Sequence, residues 1–141
     1  MSHLSVTKES DIAASLRDAG LRPTRQRLAL GGLLFAKGNR HVTAESLHQE
    51  VNKTSGHVSL ATVYNTLHQF TDAGLLREIN VTGSKSFFCT NIADHHHFYL
   101  EQDDELIDID GENIRLSGLP TPPDGTRIDQ VEVVIRLKKD Q

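Results

Sequence analysis

Residues 59–74 read SLATVYNTLHQFTDAG, and this stretch decides the fold. Its apolar side chains recur at positions 60, 63, 67 and 70, which is the spacing of a helix that buries one face in a core. Ser59 is a preferred N-cap residue and Gly74 a preferred C-terminal one, so we predict a helix between them. The opposite face carries short hydroxyl, methyl and amide groups instead of the Lys and Glu of a typical solvated helix. Its members are Ser59, Ala61, Thr62, Tyr64, Asn65, Thr66, His68 and Gln69.

Three further helices are predicted before this one. The first is expected to be capped by Thr7 and to end at Gly20, because Thr caps helices well and Gly ends them. The second is expected to begin at Pro23-Thr24 and to end near Gly38, and the third to begin after Thr43.

After residue 74 the apolar pattern changes to a period of two, which is typical of strands. The predicted elements are strands at 75–81 and 85–90, strands at 97–101 and 105–109, a short helix at 112–116 and a strand at 128–137. Four helices followed by a hairpin is the order of a winged helix-turn-helix. We therefore predict an α+β fold. A winged-helix DNA-binding domain would occupy residues 1–87, and a C-terminal α/β dimerisation and sensing domain with an antiparallel sheet would occupy residues 88–141.

The charged residues divide the chain into a basic and an acidic part. Residues 1–91 have a net charge of +3 and residues 92–141 a net charge of −7, for a total of −4. A module that binds a polyanion, joined to one that binds cations, would show this division. Random solvated surface would explain the charges alone equally well.

Composition also limits the class of protein. No apolar stretch approaches the ~20 residues that cross a bilayer, and the start lacks a signal-peptide pattern, so we expect a cytoplasmic protein without a membrane partner. The single cysteine excludes an internal disulfide and a thiolate zinc cluster. A metal-dependent hydrolase is disfavoured, because the chain has few aromatic residues, no HExxH motif and no nucleophile constellation. We predict that the chain is not an enzyme.

Between Asp18 and Glu45 there are five basic residues and no acidic one. Basic side chains near a helix N-terminus are typical phosphate contacts, although a solvated basic edge is the alternative. The helix at 59–74 then offers short groups that reach base edges in a major groove, with Asn65 suited to adenine. The predicted DNA-binding residues are Arg22, Thr24, Arg25, Arg27, Ser59, Ala61, Thr62, Tyr64, Asn65 and, on the wing, Lys85.

The chain has eight histidines, of which His95, His96 and His97 are consecutive. On a strand, His95 and His97 point to one face and His96 to the other. Two imidazoles on one face chelate zinc, iron or manganese, and Asp108 on the partner strand of the hairpin could add an oxygen ligand. A solvated run of histidines is the alternative.

Three segments of the basic part resemble the ferric uptake regulator family. They are AGLRPTRQRLAL at 19–30, HVTAESL at 41–47 and SLATVYNTLHQFTDAGLLRE at 59–78. The resemblance implies a dimeric, metal-responsive bacterial transcription regulator that binds double-stranded operator DNA, with half-sites about one helical turn apart. The chain departs from the pattern at Asn65, where iron-sensing members usually have arginine.

The resemblance also implies a regulatory divalent metal ion (Fe, Mn or Zn) at the hinge between the two modules. The positions that match the family's ligands are His41, Cys89, His95, His97 and Asp108. Cys89 stands where the family usually has a carboxylate, which favours softer ions or heme iron and makes the site sensitive to oxidation. Alternatively, Cys89 is only a small buried residue.

Within the family, the chain is similar to the iron response regulator group, Irr. The similarity rests on the HHH run, the ending VEVVIRLKK at 131–139, and Leu100 and Asp103 at the positions of the usual CxxC pair, so no structural zinc held by four cysteines is expected. It implies a regulatory heme at His95, His96 and His97, free or brought by a heme-delivering protein, whose binding releases DNA at iron- and heme-responsive genes. The alternative is a repressor that senses zinc, manganese, iron or peroxide, with the metal as corepressor.

Overall fold

The computed structural model describes residues 9–140, so the predicted cap Thr7 lies outside the described residues. The chain divides into two compact units, Met1–Ile92 and Ala93–Gln141. The predicted division between residues 87 and 88 falls inside a strand whose pairing partners all belong to the first unit. Each unit is described by itself.

The first unit begins with the helices that the caps and glycines predict. Their bounds are α1 Glu9–Asp18, α2 Arg25–Phe35, α3 Ala44–Thr54 and α4 Leu60–Asp72. The hydroxyls of Thr24, Thr43 and Ser59 cap α2, α3 and α4 by accepting backbone N–H groups at the third helical position. Gly20 and Gly74 follow α1 and α4 with φ of 85° and 84°, a left-handed conformation in which a side chain would be strained.

The four helices share one apolar core. Leu16 of α1, Leu34 of α2, Leu47 of α3 and Leu67 of α4 are each at most 1% exposed and belong to the same cluster. The spacing of three and four residues along each helix places these side chains on one face. Their burial fixes α4 against the other helices with its polar face outward.

A three-stranded sheet completes the first unit, with β1 His41–Val42, β2 Arg77–Thr82 and β3 Lys85–Cys89 in the order β1-β3-β2. The hairpin β2–β3 is the predicted wing. The two-residue strand β1 is not predicted from the sequence, because two residues show no periodicity. Helices followed by this hairpin confirm the predicted fold class, α+β with an N-terminal winged helix-turn-helix.

The second unit is a three-stranded sheet of β4 His96–Leu100, β5 Glu105–Ile109 and β6 Val134–Leu137, in the order β5-β4-β6. The predicted hairpin is present, since β4 and β5 are antiparallel. However, β6 pairs with β4 in parallel, so the sheet is mixed rather than purely antiparallel. The long connection between β5 and β6 allows this pairing, because a parallel return needs a dozen residues or more.

Two smaller predictions for the second unit are wrong. The helix expected at 112–116 is a single 3-10 turn, Gly111–Asn113, and the strand expected at 128–137 begins only at Val134. Pro120, Pro122 and Pro123 lie in the intervening segment, and proline supplies no amide hydrogen for a helix or a sheet. None of the helices among residues 9–140 has the length and apolar content of a segment that crosses a bilayer.

Candidate metal centre and nucleic-acid interface

Two histidines of the second unit approach the same carboxylate oxygen of Asp108. The strand register places His97 of β4 opposite Asp108 of β5. The Nε2 atoms of His95 and His97 lie 3.1 and 3.2 Å from Asp108 Oδ1, and the two rings are 4.5 Å apart between centroids. Both histidines are buried, whereas Asp108 is partly exposed. The predicted grouping of His95, His97 and Asp108 on one face of the sheet is therefore present.

The backbone sets the tautomer of His95. Its Nδ1 lies 2.5 Å from the carbonyl oxygen of Ala93. A carbonyl oxygen only accepts, so Nδ1 carries a proton, and Nε2 is the nitrogen whose lone pair would be offered to a metal ion. A backbone carbonyl that holds the far nitrogen is the usual support of a metal-binding histidine.

The two nitrogen–oxygen separations are compatible with ligands of a divalent transition metal. Two ligand atoms that each lie about 2.1 Å from an ion, at tetrahedral or octahedral angles, are ~3.0–3.4 Å from one another. The measured separations of 3.1 and 3.2 Å fall in that range. Two imidazoles and a carboxylate suit zinc, iron or manganese better than the hard, oxygen-seeking ions calcium and magnesium.

His96 has a different environment from its neighbours. Its Nδ1 accepts a 3.0 Å hydrogen bond from the backbone N–H of Val133, next to β6. The neutral ring therefore carries its proton on Nε2, and its Nδ1 lone pair is occupied. This bond fastens the chain that enters β6 to β4, and it gives no support to the predicted heme contact of His96.

The other two predicted ligands, His41 and Cys89, belong to the first unit. They are direct partners in the pairing of β1 with β3, and Arg77 of β2 is the partner of Cys89 on the other side. Cys89 is 0% exposed and is flanked on its strand by buried Phe88. The roles of His41 and Cys89 as ligands stay predictions.

The predicted recognition helix α4 presents most of its polar face outward. Ser59, Ala61 and Asn65 are exposed, and Thr62 is half-buried. Thr66, which the sequence places on that face, is buried instead. Tyr64 donates a 3.3 Å hydrogen bond from its hydroxyl to Glu45 Oε2. Partial burial, and next the charge of Glu45, raise the pKa of the Tyr64 hydroxyl, so it stays a neutral donor at physiological pH.

A cleft of about 580 Å³ lies between the N-terminus of α2 and α4. It brings together five of the predicted DNA-binding residues, namely Arg22, Thr24, Arg27, Thr62 and Asn65. Gln26 and Gln69 also line it and were not among the predicted contacts. Gln69 is predictable from the sequence, because it lies one helical turn after Asn65 and therefore on the same face of α4.

The other two basic residues among the predicted DNA contacts, Arg25 and Lys85, lie elsewhere in the first unit. Arg25 is exposed on α2 and lines a separate hollow next to the turn between α3 and α4. Lys85 begins β3, and its Nζ lies 5.8 Å above the Phe87 ring. Arg25 and Lys85 are therefore not part of the cleft.

Comparison with known proteins agrees with this arrangement. Residues 18–123 match the ferric uptake regulator family. The peroxide-responsive repressor PerR of Staphylococcus aureus (strain Mu50 / ATCC 700699) is 37% identical over 95 residues, which are 67% of this chain and 64% of that protein. The matched part thus spans less than two thirds of the relative's length.

Solved structures show the same fold. The ferric uptake regulator from Pseudomonas aeruginosa with manganese has a TM-score of 0.67 and 26% identity, over 92% of this chain and 98% of that chain. The Vibrio cholerae ferric uptake regulator (Fur) has a TM-score of 0.68 and 24% identity, over 89% and 98% of the two chains. The second likeness concerns the fold alone.

The family match covers more than half of the chain, and it extends from the end of α1 past the three converging side chains. Members of this family regulate transcription and are not enzymes, so the prediction that this chain is not an enzyme is confirmed. The chain therefore belongs to the ferric uptake regulator family.

Proposed function

We propose that this chain is a metal-responsive transcription regulator that binds double-stranded operator DNA as a homodimer, with the metal as corepressor. The observation that carries the proposal is that the Nε2 atoms of His95 and His97 both lie within 3.2 Å of Asp108 Oδ1. The outward polar face of α4 supplies the surface for DNA. A divalent ion would supply the positive charge that holds these three donors in one fixed arrangement.

The residues of the metal site divide into two groups. His95, His97 and Asp108 are the ligands supported by their geometry, and manganese, iron or zinc is the ion class that suits them. His41 and Cys89 are proposed as further ligands on the resemblance to the family alone. If either one is a ligand, its alanine variant lowers the affinity for Mn²⁺ by about tenfold or more, which is the usual effect of removing a metal-site residue.

The second unit supports the homodimer. Among residues 93–140, its buried apolar side chains are only Tyr99, Leu106 and Ile109. The same range exposes five large apolar side chains, namely Ile107, Leu116, Leu119, Ile128 and Ile135. So small a core does not sustain a domain of this size, and exposed apolar side chains on this scale are typical of an interface. A second copy of the chain is the partner that the family implies, and analytical ultracentrifugation tests it.

Peroxide is the signal favoured for release of DNA. The Staphylococcus aureus relative is named a peroxide-responsive repressor. Histidine and carboxylate ligands also accept Fe²⁺, an ion that reacts with peroxide. We expect the Fe²⁺-loaded chain to lose DNA affinity after exposure to peroxide, and the Mn²⁺- or Zn²⁺-loaded chain to keep it.

Heme-triggered release, as implied by the similarity to the Irr group, is the second candidate. It rests on the HHH run and on the absence of a CxxC pair. It makes a different prediction, because the chelator-treated chain would bind DNA and added hemin would release it.

One experiment distinguishes DNA binding that requires a metal ion from DNA binding that heme releases. A duplex is first selected by the Mn²⁺-loaded chain from a library with a random core of about three helical turns, and its affinity is then measured with chelator-treated protein and after addition of Mn²⁺, Zn²⁺, Fe²⁺ or hemin. The metal proposal expects chelation to weaken binding at least tenfold and Asp108→Asn to prevent its recovery. Asp124→Asn, the same change at an exposed carboxylate of the same unit, is the matched control. Equal affinity with and without metal would refute the corepressor role.

A further inference from the structure

We propose that Arg27 does not contact DNA itself but positions Gln69, whose side-chain amide binds a phosphate of the DNA backbone. The inference rests on the proposed DNA-binding function and deepens it. It changes the role predicted for Arg27 from the sequence, and it adds Gln69 as a binding residue.

The guanidinium of Arg27 is hydrogen-bonded within the protein. Its Nε and one terminal nitrogen donate to Gln69 Oε1 at 3.2 and 3.0 Å, and the other terminal nitrogen donates to the carbonyl oxygen of Arg22 at 2.9 Å. The planar guanidinium thus directs all three of its nitrogens at protein acceptors. The edge formed by Nε and one terminal nitrogen, which could otherwise bind a phosphate with two hydrogen bonds, is therefore occupied by Gln69.

The same contacts fix the orientation of the Gln69 amide. Arginine offers only donors, so the carboxamide must face it with Oε1, and the amide cannot be flipped. Nε2 then lies on the far side of the planar group from the guanidinium. Arg27 therefore holds two N–H donors of an exposed side chain in one direction, which lowers the entropy lost when they bind a ligand.

The location of Gln69 points to a phosphate rather than a base. Gln69 lines the cleft together with Arg22 and with Thr24, the N-cap of α2. A cationic side chain and a helix N-terminus are both groups that bind phosphate. Gln69 is also in the last third of α4, whereas recognition helices present their N-terminal residues to the bases.

The proposal predicts that the losses of DNA affinity caused by substitutions at Arg27 and Gln69 are not additive. Gln69→Ala removes the phosphate contact and weakens binding about tenfold, as expected for a hydrogen bond to a charged group. Arg27→Ala leaves the Gln69 amide unheld and weakens binding by a similar or smaller factor. In the Gln69→Ala background, Arg27→Ala then has no further effect, because Arg27 acts only through Gln69.

The dependence of affinity on salt distinguishes a positioning role from direct contact. An arginine that neutralises a phosphate contributes about −0.9 to the slope of log K against log salt. We expect Arg22→Ala to reduce the steepness of the slope by about that amount, and Arg27→Ala and Gln69→Ala to leave it unchanged. Arg27→Lys keeps the charge but cannot form the paired bonds to Oε1, so it should not rescue affinity.

The measurements use the duplex selected by the unmodified chain of 141 residues, with urea unfolding of each variant to check its fold. Additive losses in the double variant, rescue by Arg27→Lys, or a smaller slope in Arg27→Ala would overturn the proposal. A change of base preference in Gln69→Ala would also overturn it, since a phosphate contact weakens all sequences alike. If the unmodified chain selects no duplex at all, the proposed function fails instead.

Discussion

At the scale of residues, the adjacent histidines at the start of β4 have different environments, because side chains alternate across a sheet. The Nε2 atoms of His95 and His97 lie close to Asp108, whereas His96 between them accepts a hydrogen bond from the Val133 backbone. A change at His96 should therefore affect the stability of the second unit, and a change at His95 should affect the binding of metal.

The paired variants His95→Ala and His96→Ala test this separation. We expect His95→Ala to lower the Mn²⁺ affinity at least tenfold, because a ligand is lost. His96→Ala should leave that affinity within about twofold but lower the free energy of unfolding by ~1–3 kcal/mol, because a buried ring is removed and the half-buried Val133 amide loses its acceptor. Isothermal titration and urea unfolding measure the two quantities. An equal loss of Mn²⁺ affinity in both variants would make His96 a ligand and contradict the assignment.

The sequence predicts part of this site and not the rest. Alternation along a strand places His95 and His97 on one face, and the hairpin places Asp108 opposite them, because both relations are local. The bond from Val133 to His96 depends on the parallel pairing of β6 with β4, which joins residues far apart in the chain. Similarly, the contact of Arg27 with Gln69 spans 42 residues, so periodicity gives no signal of it.

At the scale of elements, the two adjacent glycines of α2 have different surroundings. A Cβ at Gly31 would lie 2.8 Å from Cγ2 of Ile12 in α1, whereas a Cβ at Gly32 would meet nothing within 4 Å. The close packing of α1 on α2 thus depends on the missing side chain at Gly31. Gly32 contributes only its unfavourable helix propensity.

Alanine substitutions at these glycines should therefore have opposite signs. Gly31→Ala should lower the free energy of unfolding by ~1–3 kcal/mol, because the β-branched Ile12 side chain is stiff and the helices must separate. Gly32→Ala should raise it by about 0.5–1 kcal/mol through helix propensity. Urea unfolding of both variants measures this. Stabilisation by both substitutions would show that α1 moves to accommodate the new methyl group at little cost.

The N-cap residue of α4, Ser59, has a structural role and a predicted functional one. The Ser59 hydroxyl accepts the Thr62 N–H at 3.1 Å, and Ser59 is also a predicted DNA contact. Asp and Asn cap helices as well as Ser does, but only Asp adds a negative charge at the helix end that we propose to meet DNA.

Ser59→Asp and Ser59→Asn separate the two roles. Both variants should keep the free energy of unfolding within about 0.5 kcal/mol of the unmodified chain, because both side chains accept the same hydrogen bond. Ser59→Asp should lower DNA affinity by more than tenfold through repulsion of the phosphates, and Ser59→Asn should change it far less. Fluorescence anisotropy with the selected duplex provides the measurement. Equal affinity of the two variants would place the start of α4 away from the DNA.

The secondary-structure elements differ in how well the sequence predicts their bounds. The helices of the first unit are predicted within a few residues, because caps, glycines and apolar spacing act locally and agree. The strand β6 is shorter than predicted, and the helix expected at 112–116 is absent. In this region the apolar alternation is present, but only pairing with a neighbour decides where a strand begins.

At the scale of the whole molecule, the apolar core is distributed unevenly between the two units. The main cluster runs from Ile12 to Phe88 and lies entirely in the first unit. Residues 93–140 bury few apolar side chains and expose many. The first unit therefore has what a domain needs to fold alone, whereas the core of the second unit is small for a domain of its size.

A fragment of residues 1–92 tests this division. We expect it to fold cooperatively, with the helical circular dichroism of α1–α4, because its core is complete without residue 93 and beyond. It should bind the selected duplex more weakly than the full chain, since one recognition helix replaces two. It should also bind with the same affinity in chelator and in Mn²⁺, because His95, His97 and Asp108 are missing. A fragment that unfolds would contradict the independence of the first unit, and one that still responds to Mn²⁺ would place the regulatory ion elsewhere.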